Sequence, residues 1–264
     1  MPELNEFQSS VGVLVSSCDA FFDAWRPFQR FLEKFWPDCP LDIFLLTNKL
    51  QLRSSRIQPI AVGPDRGWSS NLLAALARFP HRYALYFQED YFLTAPVKSE
   101  ELARDFAAAI EAGAASLCFR ARSQTDAGFH PLNDRFGLVP LESDGRTRCQ
   151  VTLWRKDALQ LILREGETAW EFEARGSTRT QEMRILSYQR RENAPIRYLM
   201  SAISRGLWMP DAIALCRDQG VTIDPFFRPI YSAQSWRRRL RRALGRRRLE
   251  RALRAQQNRT VDLK

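Results

Sequence analysis

The chain has 264 residues, is 45% hydrophobic and carries a formal net charge of +10. That length suits one large α/β domain or a domain with a tail, and that composition excludes a disordered chain. The charge is concentrated: residues 235–264 hold 12 basic and two acidic residues, whereas residues 1–234 hold 28 of each, and a neutral body argues against nucleic acid as the partner.

In chain order, the opening MPELNEFQSS is polar and acidic and has no signal-peptide pattern. Residues 11–17 (VGVLVSS) are an apolar, β-branched run that reads as a buried strand. Phe21, Phe22, Trp25, Phe28, Phe31, Leu32, Phe35 and Trp36 recur at helical spacing. Residues 41–48 form a second strand, and this β-α-β opening predicts a parallel sheet with helices on its faces. A third strand is predicted over 57–62, then a helix capped by Ser69 or Ser70 and ended by Pro80. Residues 83–93 (YALYFQEDYFL) read as a strand interrupted by Gln88, Glu89 and Asp90. Two ionised carboxylates are costly to bury unpaired, so either the acids are solvated at a strand end or they hold something cationic.

A helix follows over 99–113, with Ser99 as cap and Gly113 as stop, and then a short strand, SLCFR. Residues 121–148 read as loops and short strands, and 150–165 as a strand turning into a helix. The segment AWEFE, if extended, puts Glu171 and Glu173 on one face and Trp170 and Phe172 on the other, with a helix expected after it. From residue 235 the chain is Arg-rich. Trp236, Leu240 and Leu244 lie at four-residue spacing before Gly245, and Leu249, Ala252 and Leu253 form an apolar side after it. The two faces do not line up, which predicts two short amphipathic turns. Basic amphipathic segments bind anionic membrane surfaces. The division expected is a body over 1–234 and a tail over 235–264.

Five scattered cysteines (Cys18, Cys39, Cys118, Cys149, Cys216) show no CxxC spacing, which argues against a zinc site or disulfide framework and for a reducing, cytoplasmic setting. No apolar run reaches the roughly 18–20 residues that span a bilayer. No GxSxG, Walker A, HExxH or GxGxxG pattern is present.

Three segments carry chemistry. Acids at the carboxyl end of a strand, as in Gln88-Glu89-Asp90, can bind Mg²⁺ or Mn²⁺ with diphosphate oxygens completing the shell, or serve as Arg-paired structural acids. In residues 65–76 (DRGWSSNLLAAL), Gly67 permits a tight turn, Trp68 offers a flat face and Asn71 a polar group at a helix N-terminus; an ordinary cap with a core Trp is the competing reading. In AWEFE a carboxylate beside aromatic rings suits a general base, or the segment is a plain amphipathic surface.

In this order, RGWSSNLLAAL, LYFQEDYFL and WEFE resemble the layout of bacterial nucleotide-sugar glycosyltransferases of the GT-A fold. The resemblance covers roughly residues 11–229. It implies a Rossmann-like, mixed but mostly parallel sheet flanked by helices, with the basic helical tail appended. It implies transfer of a sugar from a nucleotide-diphosphate donor to a glycan or lipid-linked acceptor, as in lipopolysaccharide or surface polysaccharide synthesis, by inverting single displacement. It places Ser16, Ser17 and Asp19 at the nucleotide base and ribose, Arg66, Gly67, Trp68 and Asn71 along the donor pocket, and Gln88, Glu89 and Asp90 on the family's acidic motif. Asp90, with Glu89 beside it, is the implied ligand of a divalent metal; Gln88 stands where the first acid of the motif would be. Glu173 or Glu171 is the implied base, Trp170 lies on the acceptor side, and Arg179, Arg184 and Arg228 are candidate partners of the leaving group. The tail would dock the enzyme on the inner face of the cytoplasmic membrane. The alternatives are a non-catalytic nucleotide- or sugar-binding module of the same fold, and a nucleic-acid-binding protein acting through the Arg-rich tail.

Overall fold

The computed structural model describes residues 2–121, 130–232, 235–255 and 260–263, with side chains of the last helix described from Leu240 onward. Among these, a nine-stranded sheet runs through the centre. Its strands are β1 (Val11–Ser16), β2 (Ile43–Thr47), β3 (Ile57–Ala61), β4 (Tyr83–Gln88), β5 (Ser116–Cys118), β6 (His130–Pro131), β7 (Phe136–Leu138), β8 (Thr152–Arg155) and β9 (Ile185–Tyr188). Their spatial order is β3-β2-β1-β4-β8-β5-β9-β7-β6, and all point one way except β7 and β8. The helices are α1 (Phe22–Phe35), α2 (Trp68–Leu76), α3 (Ser99–Glu111), α4 (Lys156–Ile162), α5 (Ala169–Arg175), α6 (Pro210–Asp218) and α7 (Ser235–Ala255).

The sheet is covered on both faces, which is why its central strands are continuously apolar. Alternation along β1 divides it between two cores. Val13 and Val15 join the cluster holding Trp25, Phe28 and Phe31 of α1 and Phe106 of α3; Leu14 joins the cluster holding Leu72 and Leu76 of α2 and Ile162 of α4. Each such side chain, fully buried, contributes about 1.5–3 kcal/mol. From β1 the chain passes through α1 to β2 on one side, and from β3 through α2 to β4 on the other side of β1. The strand order therefore reverses between β1 and β4, and the last residues of these strands, Ser16 and Gln88, are register partners. Open α/β sheets bind ligands at the carboxyl ends of strands flanking such a reversal.

Several local expectations are corrected. Helix α2 begins at Trp68 on an N-cap of Gly67 (φ +90°), with Ser69 and Ser70 buried in its first turn. The cap comes early because Asp65 Oδ1 accepts from the Gly67 N–H (3.0 Å) and the Asn71 side-chain amide (2.7 Å), while Asn71 Oδ1 accepts from the Arg66 N–H (3.0 Å). The AWEFE segment is helical, not extended. Thr168 and Glu171 form a capping box, the hydroxyl accepting from Glu171 N–H (3.2 Å) and the carboxylate from Thr168 N–H (2.9 Å). Glu171 and Glu173 consequently do not share a face, and the helix expected after them is a 3₁₀ turn, Gly176–Arg179, leading to β9. The region read as loops and short strands over 121–148 contains the short strands β6 and β7, as expected, and residues 122–129 lie outside the described residues.

The tail is one continuous helix, α7, rather than two turns. A glycine inside a helix costs about 1 kcal/mol, but here it lets the helix lie against the body. A Cβ at Gly245 would meet Pro229 Cδ at 2.4 Å and the Phe227 carbonyl oxygen at 3.0 Å. Beyond it, Leu253 packs partly buried on the core, Thr260–Asp262 pairs in parallel with Gln51–Arg53, and Leu263 is fully buried. The Trp236 side chain lies outside the described residues. No helix among the described residues is long and apolar enough to cross a membrane.

Candidate active site

The reversal point between β1 and β4 gathers three of the residues singled out in the sequence around one the sequence did not mark. The buried Tyr86 hydroxyl accepts from Trp68 Nε1 (3.3 Å) and Gln88 Nε2 (3.2 Å) and also hydrogen-bonds Ser16. Burial pushes the Tyr86 phenol well above its ordinary pKa, so it stays a neutral hydroxyl that ties α2 to both strand ends. Gly67, exposed, has open space where a side chain would project, so the turn beside Trp68 leaves room for a ligand. Glu89, Asp65 and Asp19 lie within electrostatic reach of Cys18; burial first, then the charges of Glu89 and Asp65, raise its thiol to about 12.

Strand β4 stops at Gln88, but the acids that follow are not solvated: Glu89 is 6% exposed and Asp90 5%. Two backbone amides hold the turn. Ala202 N–H donates to the Asp90 carbonyl (2.9 Å) and Ile203 N–H to Asp90 Oδ2 (3.1 Å), from a segment in which Ser201 takes φ +66°. A non-glycine residue in that region is held there at a cost of about 1–2 kcal/mol, which marks the contact as one the surrounding structure enforces. Asp90 Oδ1 is buried with no hydrogen-bond partner among the described residues. The cation in reach of both acids is Arg228, itself 5% exposed. It donates from Nε and Nη2 to the buried Asp23 carboxylate (3.1 and 3.0 Å) and from Nη2 to the Ala20 carbonyl (2.7 Å). Its guanidinium also lies over the Phe21 ring at 4.5 Å.

Burial pushes the Asp90 carboxyl up to about 6, against the hydrogen bond from Ile203 and the charge of Arg228. Burial, then the Asp90 charge, raises Glu89 well above the usual range. A carboxyl whose folded pKa is raised favours the folded state below its unfolded pKa, and that contribution is lost as pH rises through the folded pKa. An Asp90→Asn variant, which keeps an acceptor for Ile203 N–H, should match the wild type near pH 3, below the unfolded carboxyl's range, and exceed its stability by about 3 kcal/mol at pH 8. Paired denaturant melts at the two pH values check this; a variant less stable at pH 8 would mean that Arg228 outweighs the burial.

The fit of a divalent cation rests on Asp90 and Glu89 alone. Among the described residues no group of three or more His, Cys, Asp or Glu side chains converges, Gln88 donates its amide to Tyr86, and the one free Asp90 oxygen is sealed from solvent. A Mg²⁺-type ion keeps several waters in its shell, and this donor set does not fit one.

Helix α5 reaches the same side of the sheet. Phe172 packs on Trp68 (ring centroids 5.3 Å), and half-buried Glu173 accepts the Cys149 N–H through Oε1 at 2.7 Å. The Cys149 carbonyl in turn accepts from the Tyr91 hydroxyl (2.8 Å), so one residue links Glu173 to the neighbour of Asp90. Glu171 is spent on its capping box, which lowers its carboxyl below the usual range, and Trp170 is 80% exposed.

Other candidates have structural work. Asp19 accepts the backbone N–H groups of Asn48, Lys49 and Leu50 (2.8, 2.8 and 3.0 Å), and the Ser17 hydroxyl accepts from Trp25 Nε1 (2.8 Å). Arg66 contributes only its N–H to the α2 cap among the described contacts, its side chain being exposed. Arg179 is ion-paired to Glu167 and donates to the Ile162 carbonyl (2.8 Å), and Arg184 donates to the Ala112 carbonyl (2.9 Å) at the end of α3. Of the three arginines named from sequence, only Arg228 stands beside the acid pair. Tyr86, Tyr91 and Cys149 carried no signal, because an aromatic or thiol inside an apolar run reads as core.

No protein-family model and no curated protein sequence matches the chain. Among solved structures it is similar to S. aureus TarS, with 12% identity, TM-score 0.44, and coverage of 80% of this chain and 39% of that one. It is similar to an apo UDP-glucose pyrophosphorylase (6% identity, TM-score 0.45, 72% and 91% covered) and to the galactosyltransferase LgtC in complex with donor and acceptor sugar analogues (11%, 0.36, 88% and 95%). A further TarS structure holds UDP-GlcNAc. The chain spans only 39% of the length of the first TarS structure. At these identities the likeness concerns the fold alone, a mixed α/β sheet flanked by helices.

Proposed function

We propose that the protein is a glycosyltransferase that moves a sugar from a nucleotide-diphosphate donor to a glycan or lipid-linked acceptor, in lipopolysaccharide or surface polysaccharide synthesis. The observation that supports this reading is the meeting, at the β1/β4 reversal, of Ser16, Trp68 and Gln88 around Tyr86, with the Glu89-Asp90 turn on one side and Glu173 on the other. In this reading the nucleotide lies against Trp68 and the Gly67 turn. Glu173, oriented by the Cys149 amide, takes the proton from the acceptor hydroxyl. The hydroxyl oxygen attacks the anomeric carbon as the nucleoside diphosphate leaves, with inversion. Trp170 offers an exposed face to the acceptor.

The tail supports a membrane-proximal location on the cytoplasmic side. Residues 235–255 form an arginine-rich helix with Leu240 and Leu244 55% and 43% exposed, a cationic surface that suits anionic lipid headgroups more through charge than through an apolar face. A non-catalytic nucleotide-sugar-binding module is the second reading, favoured by Gln88 at the first acidic position and by the sealing of Asp90. Nucleic acid is disfavoured by the neutral body.

The test is a thermal-shift screen of the full chain against UDP, GDP, CMP, ADP and dTDP, each with Mn²⁺, Mg²⁺ or EDTA. One nucleotide should raise the melting temperature, since a ligand bound only by the folded state stabilises it. The shift should persist in EDTA, and donor hydrolysis or transfer should fall in Glu173→Gln. A shift with no turnover favours the binding module; no shift at millimolar nucleotide overturns both.

A further inference from the structure

We infer that the cavity between Arg228 and the tail helix is a diphosphate site, in which Arg242 and Arg246 of α7 complete a cationic seat that Arg228 begins. This rests on the donor reading above and names the groups that meet the leaving group's charge. The cavity, about 430 Å³, is lined by Gly206, Phe227, Arg228, Arg242 and Arg246, with Leu249 among its apolar walls.

The charged side chains that line it are all cationic. Arg228 Nη1 and Arg242 Nε approach the same point from two elements, 3.9 and 4.0 Å from where a side chain on Gly206 would place its Cβ. Gly206 leaves that point open. It is the second residue of a two-residue hairpin turn, Arg205-Gly206, with φ +51° and +75°, joining Ile203–Ser204 to Leu207–Trp208. Arg228 has Nε and Nη2 engaged by Asp23 and the Ala20 carbonyl, which directs the remaining nitrogen to the cavity side. Arg242 makes no ion pair among the described residues, and Arg246 pairs only with exposed Glu250 at the rim (3.0 Å). Arg228 and Arg246 keep a carboxylate partner on one side, and an anion with several oxygens can bridge the cavity-facing sides of the three guanidiniums.

The place of the cavity is what ties it to the donor. Arg228 acts electrostatically on both Glu89 and Asp90, and Gly206 belongs to the same hairpin whose Ile203 N–H holds Asp90. The seat therefore borders the acid turn at the end of β4. Gln88 leaves that turn one acid short, and guanidiniums that converge on one point can meet the charge of a departing diphosphate. Helix α7 is then part of the donor site as well as the membrane-facing tail, and Gly245, by letting the helix approach Pro229, sets the distance.

A diphosphate could come from the donor or from a lipid headgroup. The experiment is isothermal titration of the full chain with inorganic pyrophosphate, then with the nucleoside diphosphate found by the screen, at fixed salt. Wild type, Arg242→Gln, Arg246→Gln and Arg247→Gln are compared. Arg247 is exposed, does not line the cavity and removes the same charge. Arg242→Gln should weaken pyrophosphate and nucleotide about tenfold, the loss of one charge-assisted hydrogen bond. Arg246→Gln should act in the same direction and Arg247→Gln should have no comparable effect. Equal effects of Arg242→Gln and Arg247→Gln, or no pyrophosphate binding by the wild type, overturn the site. Nucleotide that binds wild type and Arg242→Gln equally leaves the transferase reading standing and sinks this one. Binding to vesicles of anionic phospholipid that pyrophosphate displaces and Arg242→Gln removes, without change in nucleotide affinity, overturns the donor assignment.

Discussion

An Arg228→Met variant should lose about 3–5 kcal/mol of stability at pH 7.5, with much less lost at pH 5. The reason is the charge it would leave behind. Asp23, whose side chain is 1% exposed, receives two of the Arg228 hydrogen bonds, and burial already raises its carboxyl above the usual range despite the guanidinium. Glu89 and Asp90 are raised by burial too, and Arg228 acts to lower all three. Removing it lifts the folded-state pKa values further. Stability held while these groups are protonated is then lost as pH rises through the new values, so the deficit grows with pH. Melts in denaturant at pH 5 and 7.5 read the effect directly. Adding Asp23→Asn should recover a large part of it, since the penalty is an unpaired buried charge and the two sites are coupled. A loss independent of pH and unaffected by Asp23→Asn would assign it to packing over Phe21 instead.

The second large effect is expected at Arg146, which no sequence pattern marks. It is 4% exposed and acts as a hub. Its guanidinium donates to the Val139 carbonyl, to the Pro140 carbonyl (2.9 Å), to the Thr180 hydroxyl and carbonyl (2.7 and 2.9 Å) and to the Met183 carbonyl (2.8 Å). Its N–H also reaches the Ser177 hydroxyl (3.0 Å). Arg146→Met leaves several buried carbonyls without donors and should cost about 3–5 kcal/mol, read as a fall in denaturant midpoint. Arg146→Lys should rescue little, because one ammonium cannot reproduce a planar fork of five donors. The hub joins the chain just before Cys149 to the turn after α5, so it also sets where Glu173 stands. Wild-type stability in Arg146→Lys would show that charge, not geometry, holds the region.

Much of the scaffold was legible in the residues. Apolar β-branched runs marked β1, β2 and β3, the aromatic helical spacing marked α1, and Gly113 (φ +66°) ended its helix as expected. The failures have local causes. Thr168-x-x-Glu171 is a capping-box signature, and it outweighed the alternation that made AWEFE look extended. Hydrogen bonds to Asp65 fixed the turn before α2, so the helix began at Trp68 on a cap at Gly67, ahead of the serines. Gly245 read as a break because a glycine in isolation favours one, yet in the folded chain it is the only side chain small enough for the contact with Pro229.

The sequence by itself determined the α/β class, the reversal-prone β-α-β opening, the acidic turn after β4 and the concentration of positive charge in the last 30 residues. These depend on short-range periodicity and composition, which the chain carries wherever it folds. Only the tertiary structure decided that Glu89 and Asp90 are buried, that Glu171 is a cap while Glu173 meets Cys149, and that α7 returns to the body beside Arg228. Those outcomes turn on burial and on contacts between residues such as Asp23 and Arg228, about 200 positions apart in the chain. Desolvation and long-range pairing are properties of the packed molecule, and no local window of sequence contains them.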